Sequence, residues 1–157
     1  MSLRNNIAPA TLIATWFGAG FLPVAPGTWG SLAALPFAWA IQTFWGPWAL
    51  AAGVVITFGL GTWASAKVLA DSEIADPPSI VIDEVAAQWL VLVPFQPDWV
   101  TYVAGFVLFR IADIVKPWPA SWADREGKGA WGVMLDDLFA GAYALLALLL
   151  LERWVLP

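Results

Sequence analysis

The sequence predicts an all-α fold: a compact helical membrane protein, a bundle of short transmembrane and interfacial helices with a polar active-site face on one side. Three observations carry this. Of 157 residues, 61% are hydrophobic and 12% charged, about half the charge of an average soluble domain. No charged residue stands between Arg4 and Lys67, and no stretch shows the alternation of a half-buried strand. The twelve tryptophans agree, because indole rings concentrate at membrane–water interfaces. At this length the chain reads as a single domain over residues 1–157.

Taken in order, residues 7–25 are apolar but interrupted by Gly18, Gly20 and Pro23. Whether they cross the bilayer or dip in and return is left open. The chain breaks at residues 26–30, and Ser31 is the expected N-cap of a segment over 31–45. Gly46-Pro47 makes a turn and residues 48–66 run back. Residues 67–78 are polar and acidic, and Pro77-Pro78 stop any helix there. Ser79 is then expected to cap a helix through Asp83, Glu84, Gln88 and Trp89 to Val93. Residues 94–98 turn, and 99–115 return with Arg110 and Asp113. Residues 116–131 read as a polar loop, and a final helix runs from about 133 to 151. A spanning helix needs about 20 apolar residues. Residues 48–66 qualify, and 138–151 do with their neighbours; 31–45 are short, and 85–93 with 99–109, too short to cross alone, read as a half-depth hairpin or as part of a bundle standing at the interface.

Two such hairpins bring Ser31, Lys67, Asp83, Glu84, Arg110, Asp113, Lys116, Asp124, Arg125, Lys128, Asp136 and Asp137 to one side. Trp45, Trp48, Asp98, Trp99, Glu152 and Arg153 fall on the other. Lys67, Arg110, Lys116, Arg125 and Lys128 are five of the seven basic residues, so the positive-inside rule makes the polar side cytoplasmic. The side of Arg4 is undecided. The short start with one base and the long apolar run after it give no expectation of a cleavable signal peptide.

The composition also excludes chemistry. A net charge of −5, twelve acids against seven bases, argues against nucleic acid as a partner. There is no Cys and no His, so thiolate nucleophiles, imidazole bases and Cys- or His-ligated metals are ruled out. What remains is carboxylates, Lys and Arg, hydroxyls, backbone groups and bound metal.

Asp83-Glu84, Asp113 and Asp136-Asp137 are five carboxylates at helix ends on one side. Their repulsion in a low-dielectric setting is costly, and a hard cation such as Mg²⁺ relieves it, taking carboxylate and phosphate oxygens. The plainer explanation is that acids favour helix N-termini; two pairs plus an Asp113 within an apolar helix exceed what it covers. Arg110 and Asp113 share a helical face that Lys116 continues, either as a local ion pair or as cations that receive an anion. Residues 25–31, AlaProGlyThrTrpGlySer, add glycine backbone and a helix start, a second anion feature. Metal, cations and glycine turn together point to phosphate chemistry, and the interfacial setting to a lipid phosphate.

The segments GAGFLPVAPGTWGSLAALP (18–36), IVIDEVAAQW (80–89), FRIADIVKPWP (109–119) and GVMLDDLFAG (132–141), with Asp124-Arg125 between the last two, resemble the phosphatidylglycerophosphatase A family in order and spacing. The resemblance implies a Mg²⁺-dependent membrane phosphatase that converts phosphatidylglycerophosphate to phosphatidylglycerol. It also implies a multi-pass protein of the bacterial cytoplasmic (inner) membrane with its active site facing the cytoplasm. Two departures stand out: Ala87 where that family usually has glycine, and Gly129-Ala130 where a Gly-Gly pair is common.

On this basis Asp83, Glu84, Asp136 and Asp137 are the expected Mg²⁺ ligands, and Asp113 joins them in the catalytic set. Arg110 and Lys116 are expected to neutralise the phosphate, helped by Gly27, Thr28, Gly30 and Ser31, while Asp124 and Arg125 order the loop over the head group. The attacking oxygen is either a metal-activated water or an aspartate that becomes phosphorylated. The acyl chains are expected to stay in the bilayer near Trp29 and Trp118. The competing expectations are a small membrane transporter or ion-binding protein using the carboxylates as a cation pathway, and a purely structural membrane partner.

Overall fold

The computed structural model describes residues 8–155. Arg4 and the amino-terminal residues 1–7 lie outside them, with the signal-peptide question. The elements are α1 (Pro9–Ala14), a short 3₁₀ turn (Ala19–Phe21), α2 (Pro26–Trp45), α3 (Pro47–Ala70), α4 (Ile82–Leu92), α5 (Trp99–Val115), α6 (Ala120–Glu126) and α7 (Gly129–Trp154). The described residues contain no strand. By length and composition α3 and α7 are the two helices able to cross a bilayer.

The organising element is α4. Nine of its eleven residues are buried, and it packs against α2, α3, α5 and α7. Each of those helices turns a glycine towards the α4 segment: Gly30 faces Val81, Gly61 faces Ile82, Gly105 faces Leu92 and Gly141 faces Ala87. A methyl group added to Gly30 would lie 2.7 Å from Val81 Cβ, so only hydrogen permits that approach. Small residues bring membrane helices together in this way, where lipid leaves no hydrophobic drive between them. A methyl group added to Gly141 would lie 3.1 Å from Ala87 O and 3.3 Å from Ala87 Cβ, so the hydrogen of Gly141 leaves room for Ala87.

At eleven residues α4 ends in the apolar interior, where its last carbonyls have no intrahelical donor. Gln42 of α2 supplies one. Its Nε2 donates to Leu92 O at 2.9 Å, Phe95 O at 3.0 Å and Val93 O at 3.3 Å, while its Oε1 accepts from the Tyr102 hydroxyl. Trp89 Nε1 donates to Ala34 O at 2.9 Å and ties α4 to α2 a second time. These contacts put the end of α4, the start of α5 and the Gly46 turn at one end of the molecule. Thr101 and Glu152, hydrogen-bonded at 3.3 Å, bring the end of α7 there too. Trp45, Trp48, Trp99 and Trp154 are exposed at that end, the placement of an interfacial aromatic belt.

Four expectations need correction. Residues 26–30 are the first turn of α2, and Ser31 lies inside that helix, buried, its hydroxyl donating to Gly27 O at 3.0 Å. The break falls one step earlier, at Val24 and Ala25, both in the left-handed region (φ 62° and 53°). Pro26 then starts the helix, where its missing N–H costs nothing. Ser79 caps nothing: α4 starts at Ile82 with no side-chain cap. The loop over 116–131 contains α6, and α7 begins at Gly129, a turn before the expected start. The described part of the opening segment, residues 8–25, holds only the six-residue α1 and the 3₁₀ turn. Ala8–Thr11 sit beside Lys67 and Asp71, and Trp16 reaches Trp89 and Phe37. Gly27 then lies against Glu84, so the segment runs from the end of α3 past Trp89 to the start of α4.

Replacing Gln42 with Leu keeps the volume but removes the shared donor, leaving carbonyls of the α4 end buried without partners. The expected cost is about 2–4 kcal/mol, read as a lower unfolding midpoint in detergent, with a smaller loss for Tyr102→Phe. An unchanged midpoint for Gln42→Leu would remove it from this role.

Candidate active site

The first turn of α4 carries Asp83 and Glu84. Opposite them α7 carries Asp136 and Asp137, at its eighth and ninth residues. The helix macrodipole acts within the first turn, so it explains the α4 acids and not the α7 pair. The last turn of α5 adds Asp113. These side chains line a cavity of about 360 Å³, together with Gly27, Asp76, Arg110 and Lys116.

Within it Asp83, Glu84 and Asp137 each bring a carboxylate oxygen to within 4.8 Å of the other two. Asp83 Oδ1, Glu84 Oε2 and Asp137 Oδ2 are buried and accept no hydrogen bond. Burying unpartnered carboxylate oxygens is expensive, and three at one point form a hard-oxygen donor set suited to a divalent cation. Burial pushes the Asp83 carboxyl well above its ordinary pKa, and the charges of Glu84, Asp137 and Asp136 push it further. Burial raises Glu84 as well, with Asp83 and Arg110 offsetting part of the rise.

Asp136 is engaged differently from its neighbour. Adjacent helical residues point about 100° apart, so while Asp137 faces the α4 acids, Asp136 Oδ2 accepts from Lys116 Nζ and its Oδ1 from the Asp137 N–H. Lys116 does not continue the Arg110–Asp113 row. It ends α5 in the left-handed region (φ 47°), which swings its ammonium to Asp136 and, at 2.8 Å, to Asp124. Burial works against that charge, but the two carboxylate hydrogen bonds outweigh it and raise the Lys116 pKa. Arg110 Nη1 lies 2.6 Å from Asp113 Oδ2. Each cation is thus held by a carboxylate at the cavity wall.

Of the glycine-rich turn, Ala25, Pro26 and Gly27 line the cavity. A Cβ at Gly27 would lie 2.1 Å from Glu84 Oε1 and 3.4 Å from Arg110 Nη1. Gly30 packs on Val81, Ser31 is buried in α2, and Thr28 does not line the cavity. Asp124 pairs with Lys116, while Arg125 donates from Nε to Ser121 O at 3.1 Å; both line a neighbouring recess. Sequence reasoning missed Asp76, which lines the cavity and the recess. Its signal was its place before Pro77-Pro78, a rigid pair that fixes where the preceding side chain projects.

The model of the family described as Phosphatidylglycerophosphatase A matches residues 12–152. The chain is 44% identical over 135 residues to the phosphatidylglycerophosphatase A of Escherichia coli (strain K12), covering 85% of this chain and 77% of that one. It is 34% identical to the phosphatidylglycerophosphatase A of Haemophilus influenzae, covering 99% and 94%. A Bacteroides thetaiotaomicron protein named as a putative phosphatidylinositol-3-phosphatase is 42% identical, covering 98% of both chains. No solved structure matches the chain.

Gly27→Ala forces the Glu84 carboxylate out of the cluster. The expected result is divalent-metal affinity weakened about tenfold or more, measured by calorimetric titration of Mg²⁺ or Mn²⁺ into the detergent-purified protein. Because protons compete for carboxylates with raised pKa values, affinity in the unchanged protein should rise with pH. Equal affinity in Gly27→Ala would place the metal elsewhere.

Proposed function

Since the chain belongs to the phosphatidylglycerophosphatase A family, we propose that it is a Mg²⁺-dependent enzyme that hydrolyses phosphatidylglycerophosphate to phosphatidylglycerol and phosphate. The observation that carries the mechanism is the set of three buried, unpartnered carboxylate oxygens of Asp83, Glu84 and Asp137. These residues would hold the Mg²⁺, which when bound supplies Lewis-acid charge to the phosphoryl oxygens and lowers the pKa of a bound water. The rest falls to the chain's own groups. Arg110 offers a planar guanidinium for two phosphate oxygens, and Asp113 fixes its orientation. Lys116, held by Asp136 and Asp124, keeps a second positive charge at the cavity wall. Gly27 leaves room for the α2 backbone to come close.

The lipids these family names specify share one plan, a phosphomonoester on a polyol that a phosphodiester joins to diacylglycerol. A cavity at one end of the helices, with Trp29, Trp118 and Trp122 exposed on the segments that approach it, suits a head group presented from the interface. In this reading the protein is multi-pass in the bacterial cytoplasmic membrane. The polar end faces the cytoplasm, in keeping with Lys67, Arg110, Lys116, Arg125 and Lys128 at that end and Arg153 at the other. A cation pathway is less well supported. Beyond the acids α4 continues with Val85, Ala86, Ala87, Gln88, Trp89, Val91 and Leu92, all buried, so the Gln88 amide is the one oxygen-bearing side chain it offers an ion.

Phosphate release from phosphatidylglycerophosphate by the detergent-purified protein should require Mg²⁺ and stop with excess EDTA. Asp83→Asn and Asp137→Asn should each lower kcat about 100-fold or more. Both should raise the unfolding midpoint in EDTA, because each removes a repelling charge. Release that survives EDTA would overturn the metal assignment, and folded protein that releases nothing would overturn the activity. Replacing Trp29 and Trp118 with Ala should raise KM for long-chain substrate more than for a short-chain analogue; equal effects would exclude them from the acyl path.

A further inference from the structure

A second recess of about 320 Å³ opens beside the catalytic cavity and shares the wall of Asp76, Val133 and Asp136 with it. Its other side is formed by Arg125 and Lys128, where α6 ends and α7 begins. The Nε of Arg125 is anchored on Ser121 O, which steadies the guanidinium and leaves its terminal amino groups uncommitted. None of the ion pairs among the described residues uses Arg125 or Lys128. Of the three carboxylates that line the recess, Asp124 and Asp136 are both bonded to Lys116, and Asp76 stands on the wall shared with the catalytic cavity. Gly127, Gly129 and Gly132 line the same recess at the start of α7, where Gly127 and Gly132 pack backbone to backbone. N–H groups there have no intrahelical acceptor and carry partial positive charge. Trp122 and Trp131 are exposed on the same two helices, the head-group level of a bilayer.

We propose that this recess is a second anion subsite, holding the phosphodiester of the lipid head group while the terminal phosphomonoester lies in the catalytic cavity. The assignment rests on the lipid phosphatase reading above and adds the basis of its substrate choice. A lipid with two phosphates one polyol apart fills both compartments across the Asp76–Asp136 wall. Phosphatidate, whose only phosphate is attached directly to diacylglycerol, fills one. The two cations therefore act on selectivity and not on the reacting phosphorus.

The test compares kcat/KM for phosphatidylglycerophosphate and for phosphatidate in the same mixed micelles, using the full chain with Mg²⁺. The unchanged protein should prefer the two-phosphate lipid. Arg125→Gln with Lys128→Gln should reduce that preference about tenfold, the size two exposed ion pairs supply, chiefly by raising KM for phosphatidylglycerophosphate. Lys128→Arg, which keeps the charge, should retain the preference. Both residues are exposed, so the unfolding midpoint should not move. An unchanged preference, or an equal loss on both lipids, would overturn the subsite. Weaker inhibition by inorganic phosphate with preference intact would assign the recess to the released phosphate and overturn the phosphodiester assignment. Failure of the unchanged protein to hydrolyse phosphatidylglycerophosphate would instead bring down the parent reading, and the subsite with it.

Discussion

A helix of eleven residues rises about 16 Å, roughly half the hydrocarbon thickness of a bilayer. Such a helix cannot end facing lipid, because its last carbonyls would have no partner there. The molecule is arranged around solving this for α4. Four helices enclose it, each bringing a glycine to the contact, and one glutamine satisfies the carbonyls at its buried end. The reward is at the other end. The start of α4 opens on the polar side, and its first-turn acids reach a depth at which α5 and α7 can face them.

That geometry concentrates charge of one sign. Six carboxylates face one cavity with two cations, Arg110 and Lys116, among them. Each cation is committed to carboxylates at the wall, Arg110 to Asp113 and Lys116 to Asp136 and Asp124. Asp83, Glu84 and Asp137 are left without a neutralising donor, in surroundings where burial alone makes ionisation costly. Repulsion held in place by the surrounding fold is a common property of sites that bind a cation tightly and act through it. In the proposed mechanism the same feature lets a small protein without histidine or cysteine carry phosphoryl chemistry.

Much of this was legible in the sequence, for identifiable reasons. The helical segments over 48–66 and 99–115 follow from apolar runs bounded by Gly-Pro and Pro…Asp turns, and Asp98 does cap α5 through the Thr101 N–H. The acids could be gathered on one side because the turn positions dictate how the hairpins fold. The boundaries at Ser31, Ser79 and Val133 were misjudged because each rested on a cap or breaker preference worth about 1 kcal/mol, less than the packing around α4 supplies. The sequence offered no reading of Gln42, a polar residue in a largely apolar run. Its partners are 50 or more residues away, beyond any local pattern.

The amino-acid sequence by itself determined the class of molecule and the chemistry open to it: helical, membrane-embedded, and limited to carboxylates, cations and metal. Those properties follow from composition and periodicity, which are local. The tertiary structure alone decided how the acids divide their work. Asp136 and Asp137 are adjacent and chemically identical, yet one binds Lys116 and the other joins Asp83 and Glu84. The 100° turn between neighbouring helical residues separates them, and which partner each meets depends on where α4 and the end of α5 pack against α7.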